Sequence, residues 1–521
     1  MPDHSPIAIV GLSYRAPGVG RKGLWEYLSE AKSAWSKVPA DRFDYDAFYH
    51  PDSNKAGCIA AAGGHFLPED IYSYDAPFFN LRPEEARAVD PHHRMLLECA
   101  WEAAESAGVS LTDLAGSNTG VFSAIGSPEH GHMLGEDMPA SSTWTCAGGA
   151  PCMFANRLSY FFDLSGPSIA LDAACASSTY AVHMACQSLQ AGECDSAFAG
   201  GAALLLGPGQ WSFLDTMGAL SPEGKSFSYD VKGSGFGRGE GGACVLLKRL
   251  DDAIEAGDPI HAIIRNSACN HGGRSDGITM PRRSAQETLL RRVHREVGLN
   301  LNETPVVEGH GTGTKVGHLE GASGILGMVK AILMLQNGYV LPNANFEKLN
   351  ESIEKRELLR VPHNKIPWPP NEPRRVCVTN FGFGGSNSAI ILERWPTANP
   401  STNGVDHING SATNGNGVQN GHGQALTKRL FVLSAKSESS LTTYLSSFQE
   451  FLDKEEAERD SGVMFMKGLA YTLGQRRSHH SYRVAVAANS ISDLKNQLET
   501  ARPKKIRDRA VAFVFTGQGA Q

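Results

Sequence analysis

The sequence predicts an α/β fold for its first 395 residues, and two observations carry this prediction. Strand-like and helix-like runs alternate along this whole part of the chain, which is typical of α/β proteins. In addition, residues 196–206 form a small and apolar run broken by Gly200 and Gly201, a pattern typical of a central strand that is buried on both faces. A short buried helix is the alternative for that run, because periodicity alone does not separate the two.

A second short strand is predicted at residues 167–171, followed by a helix that begins near Ser177. Cys175 therefore lies at a strand-to-helix turn, close to a helix N-terminus. Unpaired backbone N–H groups and the positive end of the helix dipole lower the pKa of a thiol at such a place. We predict that Cys175 is a nucleophile that carries an acyl group, with a buried structural cysteine as the alternative.

Three further loops contain residue types that suit catalysis. His310 lies in a glycine-rich loop after the apolar residues 305–307, and His318 lies in a second loop flanked by glycines. Phe383 lies in a Phe/Gly-rich loop after the strand-like residues 375–379. A lone histidine is more often structural than catalytic. The occurrence of the cysteine turn and all three of these loops in one sequence is, however, improbable by chance.

Together the four motifs resemble the ketosynthase domain of polyketide and fatty acid synthases, which belongs to the thiolase-like superfamily. The resemblance covers about residues 6–394, and it includes Asp-Pro-His-His-Arg at residues 90–94, where the family has Asp-Pro-Gln-Gln-Arg. Residues 50–67 are most similar to the highly reducing type I polyketide synthases of fungi. The resemblance implies a thiolase-like fold of two similar halves, a homodimer and a role in secondary metabolite biosynthesis.

The resemblance also implies a reaction, the decarboxylative Claisen condensation of an acyl-Cys thioester with malonyl on a carrier protein. Cys175 would be the nucleophile, and its own N–H and the loop of Phe383 would form an oxyanion hole. His310 and His318 would be neutral Nε2 donors to the malonyl thioester oxygen. Lys330 would be the structural lysine behind the histidines, with a solvated helix lysine as the alternative. Phe383 would gate acyl access, with simple packing as the alternative.

No cofactor and no metal is expected to bind to this chain. Its substrates would arrive on the phosphopantetheine arm of an acyl carrier protein, and an acyltransferase would supply malonyl groups, both in trans or on a missing part of the chain.

One departure from the family concerns the spacing of the two histidines. His310 and His318 are eight residues apart, whereas the family has several tens of residues between them. The missing piece should contain a helix and the approach to the second histidine loop. Eight residues span at most about 28 Å, so both side chains could still reach one thiol. A misplacement of about 1 Å can nevertheless cost about a hundredfold in rate, and we therefore expect a poor or inactive condensing enzyme.

Two alternatives to an active ketosynthase follow. The first is a truncated, catalytically impaired remnant or gene-model fragment that lacks residues between the histidine loops. The second is a thiolase-like enzyme that transfers acyl groups without decarboxylation. Two histidines argue against the second, since that chemistry commonly pairs one histidine with a second cysteine.

Four segments are predicted along the chain: a ketosynthase domain at 1–395, a disordered Asn/Gly-rich linker at 396–425, a small α/β domain at 426–510 and a stub at 511–521. The small domain should have strands at 429–435 and 482–487 and a helix that opens at 492. Another helix should present one apolar face, formed by Leu441, Leu445, Phe448 and Leu452. This domain resembles the linker between ketosynthase and acyltransferase, and the stub resembles the start of an acyltransferase.

Composition excludes several classes of protein. The 521 residues are 41% hydrophobic and 20% charged, as in ordinary globular enzymes, and the net charge of -7 speaks against nucleic acid as a partner. No apolar run is long enough to span a membrane, and the N-terminus has no basic leader. The 10 cysteines form no Cys-x-x-Cys pair, which argues against a zinc site and predicts a cytoplasmic protein.

Overall fold

The computed structural model describes residues 4–30, 32–127, 129–136, 142–310, 316–396, 428–458 and 462–506. The chain divides into two compact units, Met1–Pro396 and Thr397–Gln521. All predicted site residues belong to the first unit. The four segment boundaries predicted from the sequence stay predictions, and the segments 397–427 and 507–521 lie outside the described residues.

Sixteen strands are present in the described part of the chain: β1 (Ile7–Arg15), β2 (Trp35–Ser36), β3 (Gly64–His65), β4 (Thr119–Ala124), β5 (Ser168–Leu171), β6 (Ser196–Ala203), β7 (Gly241–Arg249), β8 (Ala262–His271), β9 (Val306–Glu308), β10 (Tyr339–Val340), β11 (Ile366–Pro367), β12 (Arg375–Phe381), β13 (Ser386–Glu393), β14 (Arg429–Ala435), β15 (Tyr482–Ala488) and β16 (Lys504–Lys505).

The helices of the same residues are α1 (Leu24–Ser29), α2 (Pro83–Ala88), α3 (Pro91–Ala107), α4 (Leu111–Leu114), α5 (Glu129–Glu136), α6 (Thr145–Gly149), α7 (Met153–Phe162), α8 (Ser177–Gln190), α9 (Pro208–Thr216), α10 (Leu250–Glu255), α11 (Arg283–Arg295), α12 (Ser323–Asn337), α13 (Glu438–Glu458), α14 (Gly462–Gln475) and α15 (Ile491–Thr500). Short 3-10 helices are Leu301–Glu303, Glu320–Ala322 and Arg356–Leu358.

One nine-stranded sheet, in the order β5-β4-β6-β7-β1-β8-β13-β12-β9, contains both halves of the first unit. In the first half β4 is parallel to β5 and β6, and β7 and β1 follow antiparallel. In the second half β9 is parallel to β12, and β13 and β8 follow antiparallel. The two halves meet where β1 pairs with β8. The two similar halves of a thiolase-like fold are therefore confirmed.

The second half differs from the first by one strand. The sequence β9-β12-β13-β8 repeats β4-β6-β7-β1, but within the described residues no strand takes the place that β5 has in the first half. Along the chain of the first half, β5 follows β4 and directly precedes the turn that carries Cys175. The corresponding stretch of the second half lies between β9 and His318, where the sequence departs from the family.

Three apolar layers hold the first unit together. The inner face of the sheet packs against α8 and α12, whose alanine, valine, isoleucine and leucine side chains are almost fully buried. The outer face of the first half packs against α3 and α7, and the outer face of the second half against α11. Burial of this much apolar surface is the main favourable term in the folding of such a unit.

The central strand predicted from residues 196–206 is confirmed as β6, which pairs with β4 on one side and β7 on the other. The helix alternative is wrong. A Cβ atom at Gly200 would lie 2.5 Å from the carbonyl oxygen of Ala243, so the close approach of β7 requires glycine there.

The second unit has the predicted small α/β organisation. β14 has the predicted bounds, β15 ends one residue later than expected, and the Ser490 side chain caps α15 by accepting from the Asp493 N–H. The predicted apolar face of α13 lies in the core of this unit. The helix α14 was not predicted. No helix in the described parts of the chain is long and apolar enough to cross a membrane.

Candidate active site

Cys175 lies on a tight turn between β5 and α8. Ala174 has a φ of 52°, in the left-handed region that non-glycine residues rarely adopt. The turn is held by its own polar groups: the Asp172 carboxylate accepts from the Ala174 N–H at 2.8 Å, and the Ser177 hydroxyl accepts from the Ala173 N–H at 2.8 Å and donates to the Ala174 carbonyl at 2.6 Å. These bonds fix the turn that the sequence predicts.

The thiol of Cys175 does not have the lowered pKa that its place before a helix suggests. Burial raises the pKa of Cys175 to about 12, and the Glu320 carboxylate adds to this increase. The backbone N–H groups of Phe383 and of Cys175 itself act in the opposite direction, but their effect is smaller. The expectation of a lowered pKa is therefore wrong, because desolvation of the thiolate outweighs the helix terminus. At neutral pH the group is a thiol.

His318 contacts the thiol directly. Its Nε2 atom lies 3.0 Å from the Sγ atom of Cys175. Two backbone hydrogen bonds hold the loop, from the His318 N–H to the Gly237 carbonyl at 2.8 Å and from the Gly239 N–H to the His318 carbonyl at 2.9 Å. The ring of Phe236 packs edge-on against the imidazole at 4.8 Å. Burial lowers the pKa of His318 to about 4, so the imidazole is neutral at neutral pH.

His310 lies directly after β9, beside His318. The two ring centroids are 5.3 Å apart, and the His310 N–H donates to the Thr379 hydroxyl at 3.2 Å. Burial, with a smaller contribution from His318, lowers the pKa of His310 to about 3. The Sγ atom of Cys175 and one ring nitrogen of each histidine all lie within 4.8 Å of one another. The three residues that the sequence singled out are thus brought together, across the shortened loop.

The loop between β12 and β13 approaches the cysteine turn closely. A Cβ atom at Gly382 would lie 2.3 Å from the Ala173 carbonyl oxygen, so only glycine permits this approach. As a result the Phe383 N–H acts on the sulfur of Cys175 together with the cysteine's own N–H. Two backbone N–H donors beside one sulfur are the groups that an oxyanion hole would require. The Phe383 side chain itself is 57% exposed, so it is not part of the packed core.

The N-terminus of α12 is tied to the cysteine turn by a short chain of hydrogen bonds. The Ser323 hydroxyl donates to the Cys175 carbonyl at 3.2 Å, and the Asn380 amide donates to the Ser323 hydroxyl at 3.2 Å. Two turns further along α12, the Lys330 ammonium lies 2.9 Å from the Glu308 carboxylate. Lys330 is therefore a paired residue behind the histidine loop of β9, and the alternative of a solvated helix lysine is wrong.

Sequence reasoning missed a buried ion pair beside the thiol. The Glu320 carboxylate accepts from Arg238 Nε at 2.7 Å and lies 2.6 Å from its Nη2, and the arginine side chain is fully buried. Glu320 has a φ of 45°, so its backbone is held in an unfavourable region. The one sequence feature that could have predicted a role for Glu320 is its position two residues after His318. Nothing in the sequence predicted a role for Arg238 except that it belongs to the glycine-rich segment 235–239.

Two cavities adjoin the site. The larger, of about 410 Å³, is lined by Cys175, His318, Glu320 and Phe383 and continues to apolar side chains of α9 and its C-terminal turn. A cavity of this size is in the usual range for small-molecule sites. The smaller, of about 40 Å³, lies on the far side of the imidazoles and is lined by His310, His318 and Lys330, among others.

Comparison with protein families gives matches along most of the chain. The family described as beta-ketoacyl synthase, N-terminal domain, matches residues 4–253. The beta-ketoacyl synthase C-terminal domain matches in two pieces, residues 261–317 and 314–347, and the CurL-like polyketide synthase C-terminal family matches residues 429–498. The two pieces overlap at residues 314–317, so the match to this family divides between His310 and His318.

Two curated relatives are highly reducing polyketide synthases of fungi. The chain is 54% identical to the highly reducing polyketide synthase Preu5 of Preussia isomera over 99% of its length, and 52% identical to the highly reducing polyketide synthase ACRTS2 of Alternaria alternata over all of it. In both cases it spans 22% of the relative, about a fifth of that protein.

Solved structures agree with these matches. The ketosynthase from module 6 of the bacillaene synthase of Bacillus subtilis 168 superposes with a TM-score of 0.82 at 31% identity, covering 95% of this chain and 84% of that one. The oxazolomycin ketosynthase domain OzmH KS7 of Streptomyces albus JA3453 gives a TM-score of 0.83 at 30% identity, covering 95% and 88%.

Proposed function

The chain belongs to the beta-ketoacyl synthase family, as a ketosynthase domain of a type I polyketide synthase, and on this basis we propose that it catalyses decarboxylative condensation of an acyl group held on Cys175 with a malonyl thioester. One observation carries the proposal: the thiol of Cys175, the imidazoles of His310 and His318 and two backbone N–H donors meet at one point. Cys175 and His318 open this point to the larger cavity.

The first half-reaction loads the acyl group. Sγ of Cys175 attacks the carbonyl carbon of an acyl thioester while its proton passes to His318 Nε2, 3.0 Å away. The N–H groups of Cys175 and Phe383 stabilise the oxyanion of the tetrahedral intermediate. The bond from that carbon to the departing sulfur then breaks, and the departing thiolate takes up the proton. His318 must be neutral to accept this proton, and its lowered pKa keeps the imidazole neutral at neutral pH.

The second half-reaction forms the carbon–carbon bond. The malonyl C–CO₂⁻ bond breaks, CO₂ leaves and the electron pair moves into the thioester as an enolate. Malonyl binding selects the His318 tautomer that carries its hydrogen on Nε2. N–H donors on His310 and His318 then stabilise the enolate oxygen, and the enolate carbon attacks the acyl carbon on Cys175. Collapse of this second tetrahedral intermediate breaks the bond to Sγ, and the released thiolate takes up a proton from solvent to return the thiol. Neutral imidazoles suit this role because they donate without carrying a full charge.

Substrates and partners follow from the same chemistry. We propose an acyl carrier protein as the donor of both thioesters, since this chain spans a fifth of relatives named polyketide synthases, and an acyltransferase as the source of malonyl groups.

We further propose a homodimer. β5 is an edge strand of the sheet, and edges of this kind are commonly covered by a second chain. Light scattering of the purified chain should give twice the monomer mass.

The test is a condensation assay with a purified carrier protein. The chain is incubated with a short acyl thioester and malonyl-carrier protein, and the β-ketoacyl product is measured by mass spectrometry. Cys175→Ala should abolish product because no acyl-enzyme forms. His310→Ala should lower product formation at least about hundredfold, as for loss of a transition-state donor. Cys146→Ser is the control: it alters an exposed cysteine outside the site and should leave product formation unchanged. Full activity of His310→Ala would refute the proposal.

A second candidate function is acyl loading on Cys175 without decarboxylation, and the observation that favours it concerns the second half of the fold. Its sheet has four described strands against five in the first half, and the family match breaks at the same loop. In this candidate Cys175 still accepts an acyl group, but the histidines do not support decarboxylation. Acyl loading on Cys175 without any β-ketoacyl product would select the impaired chain, whereas product would select the condensing enzyme.

A further inference from the structure

The catalytic group has a second chemical property, which concerns metal ions. Cysteine sulfur and histidine nitrogen are the ligands that zinc prefers, and here one thiol and two imidazoles meet in space. The absence of Cys-x-x-Cys pairs excludes the common structural zinc motifs along the chain, but it does not exclude ligands that come from separate loops. We propose that Cys175, His310 and His318 form an inhibitory site for a borderline-soft divalent cation, with Zn²⁺ as the best match.

The distances fit such an ion. Zinc binds sulfur at about 2.3 Å and nitrogen at about 2.0–2.1 Å, so tetrahedral ligand atoms lie roughly 3.3–3.6 Å apart. Sγ of Cys175 and Nε2 of His318 are already 3.0 Å apart, and all three ligand atoms lie within 4.8 Å of one another. Side-chain rotations that bring these atoms about 1 Å closer would complete the set.

The surroundings complete an open, three-ligand site. Cys175 and His318 line the cavity of about 410 Å³, which leaves the fourth position of the ion for water. Glu320 lies beside the thiol and is paired with the buried Arg238, so the two charges nearest the site largely offset each other. Mg²⁺ and Ca²⁺ prefer oxygen ligands and should not bind to this set.

Binding would exchange one proton for the ion. The bond between hydrogen and Sγ breaks, the proton is released to solvent, and a sulfur–metal bond forms. The ion therefore competes with an acyl group for the same sulfur atom. This site depends on the geometry of three side chains and not on condensation, so it is present even if the chain proves to be the impaired candidate.

Cobalt(II), a spectroscopic substitute for zinc, provides the first test. Titration of the whole chain with Co²⁺ should produce a near-ultraviolet thiolate-to-cobalt charge-transfer band that saturates at one ion per chain and disappears on addition of Zn²⁺. Cys175→Ser should remove the band. Cys146→Ser, which alters an exposed cysteine, should leave it unchanged. His310→Ala should weaken binding by at least about tenfold, because even outer-shell partners of a metal contribute 10–100-fold.

A second test needs no variant and no substrate. Zn²⁺ should slow the alkylation of Cys175 by iodoacetamide at least about tenfold, a chelator should restore the rate, and Mg²⁺ should have no effect. An unchanged alkylation rate in saturating Zn²⁺, or a cobalt band that persists in Cys175→Ser, would overturn the inference. A chain without condensation activity would contradict the proposed function, but it would not change the expected effect of Zn²⁺ on the alkylation rate.

Discussion

Replacement of Gly382 by alanine should move the proposed oxyanion donor of Phe383 away from the proposed nucleophile Cys175. In the structure a Cβ atom at this position would lie 2.3 Å from the Ala173 carbonyl oxygen and 3.3 Å from the Ala174 Cβ. Both neighbours belong to the cysteine turn, which hydrogen bonds hold in place. The backbone of Gly382 is not in the left-handed region, so alanine acts there through contact alone.

The expected magnitude follows from the size of this contact. Ordinary van der Waals contact begins near 3.4 Å, so the loop must move by about 1 Å away from the turn, and it takes the Phe383 N–H with it. A displacement of about 1 Å can cost about a hundredfold in rate, and loss of one oxyanion donor costs about 10²–10³. Gly382→Ala should therefore lower the rate of Cys175 acylation by about 10²–10³.

Two reactions of the same sulfur make the assay specific. Acylation by a thioester, followed by intact-protein mass spectrometry in a single turnover, passes through an oxyanion. Alkylation by iodoacetamide does not, so it should fall less than about tenfold in Gly382→Ala, a loss that reflects weaker stabilisation of the thiolate.

The control is Gly209→Ala. It lies in the first turn of α9, and its added methyl group meets nothing within 4 Å. Both rates should stay unchanged in this variant. An acylation rate in Gly382→Ala that stays within threefold of the wild type, or that falls no more than the alkylation rate, would refute the assignment of the Phe383 loop.

Three further predictions concern the charges around the site. The rate of Cys175 alkylation should rise about tenfold per pH unit between about pH 8 and 11, because the thiolate fraction grows in that way below a pKa of about 12. Glu320→Gln should speed alkylation at about pH 8 by about 2–10-fold, since removal of the carboxylate lowers the pKa of Cys175. The same variant should have a lower melting temperature, since the buried Arg238 loses its nearer carboxylate and keeps only the more distant Glu129. Lys330→Met should destabilise the fold by about 2–4 kcal/mol, and Glu308→Gln in the same chain should restore part of that loss, as calorimetry would measure.

Each of these has a contrary outcome. A plateau of alkylation below about pH 10 would contradict the raised pKa of Cys175. Slower alkylation of Glu320→Gln would show that the carboxylate positions His318 more than it opposes the thiolate. Losses from Lys330→Met and Glu308→Gln that simply add would show that the two side chains do not interact in solution.

Local patterns were sufficient to predict the elements that hold the site. The apolar run before Cys175 and the small residues after it define a strand, a turn and a helix, and β5 and α8 are formed there. β14 has its predicted bounds because the continuous apolar run of residues 430–433 lies between a basic residue and a following polar cluster. The helix α14 was missed because Gly468 and Gly474 weaken its local propensity, and its formation depends on apolar contacts with the core of the second unit.

Properties that depend on the whole fold were not predictable. The pKa of Cys175 was expected to fall because the local sequence shows a helix terminus, but it rises because distant segments bury the sulfur. The pair of Glu320 and Arg238 joins residues 82 positions apart. The sequence predicted that both histidines could reach one thiol across the shortened loop. His310 and His318 do meet at the thiol, because β9 and the segment around Gly237 hold these two residues separately.

A single-turnover chase tests the central claim most directly. Cys175 is first loaded with an acyl group and freed of excess thioester, and malonyl-carrier protein is then added. The account predicts that the acyl mass leaves the chain while β-ketoacyl-carrier protein and CO₂ appear in equal amounts. An acyl group that stays on Cys175, or that leaves by hydrolysis without CO₂ release, would contradict the claim that this chain condenses.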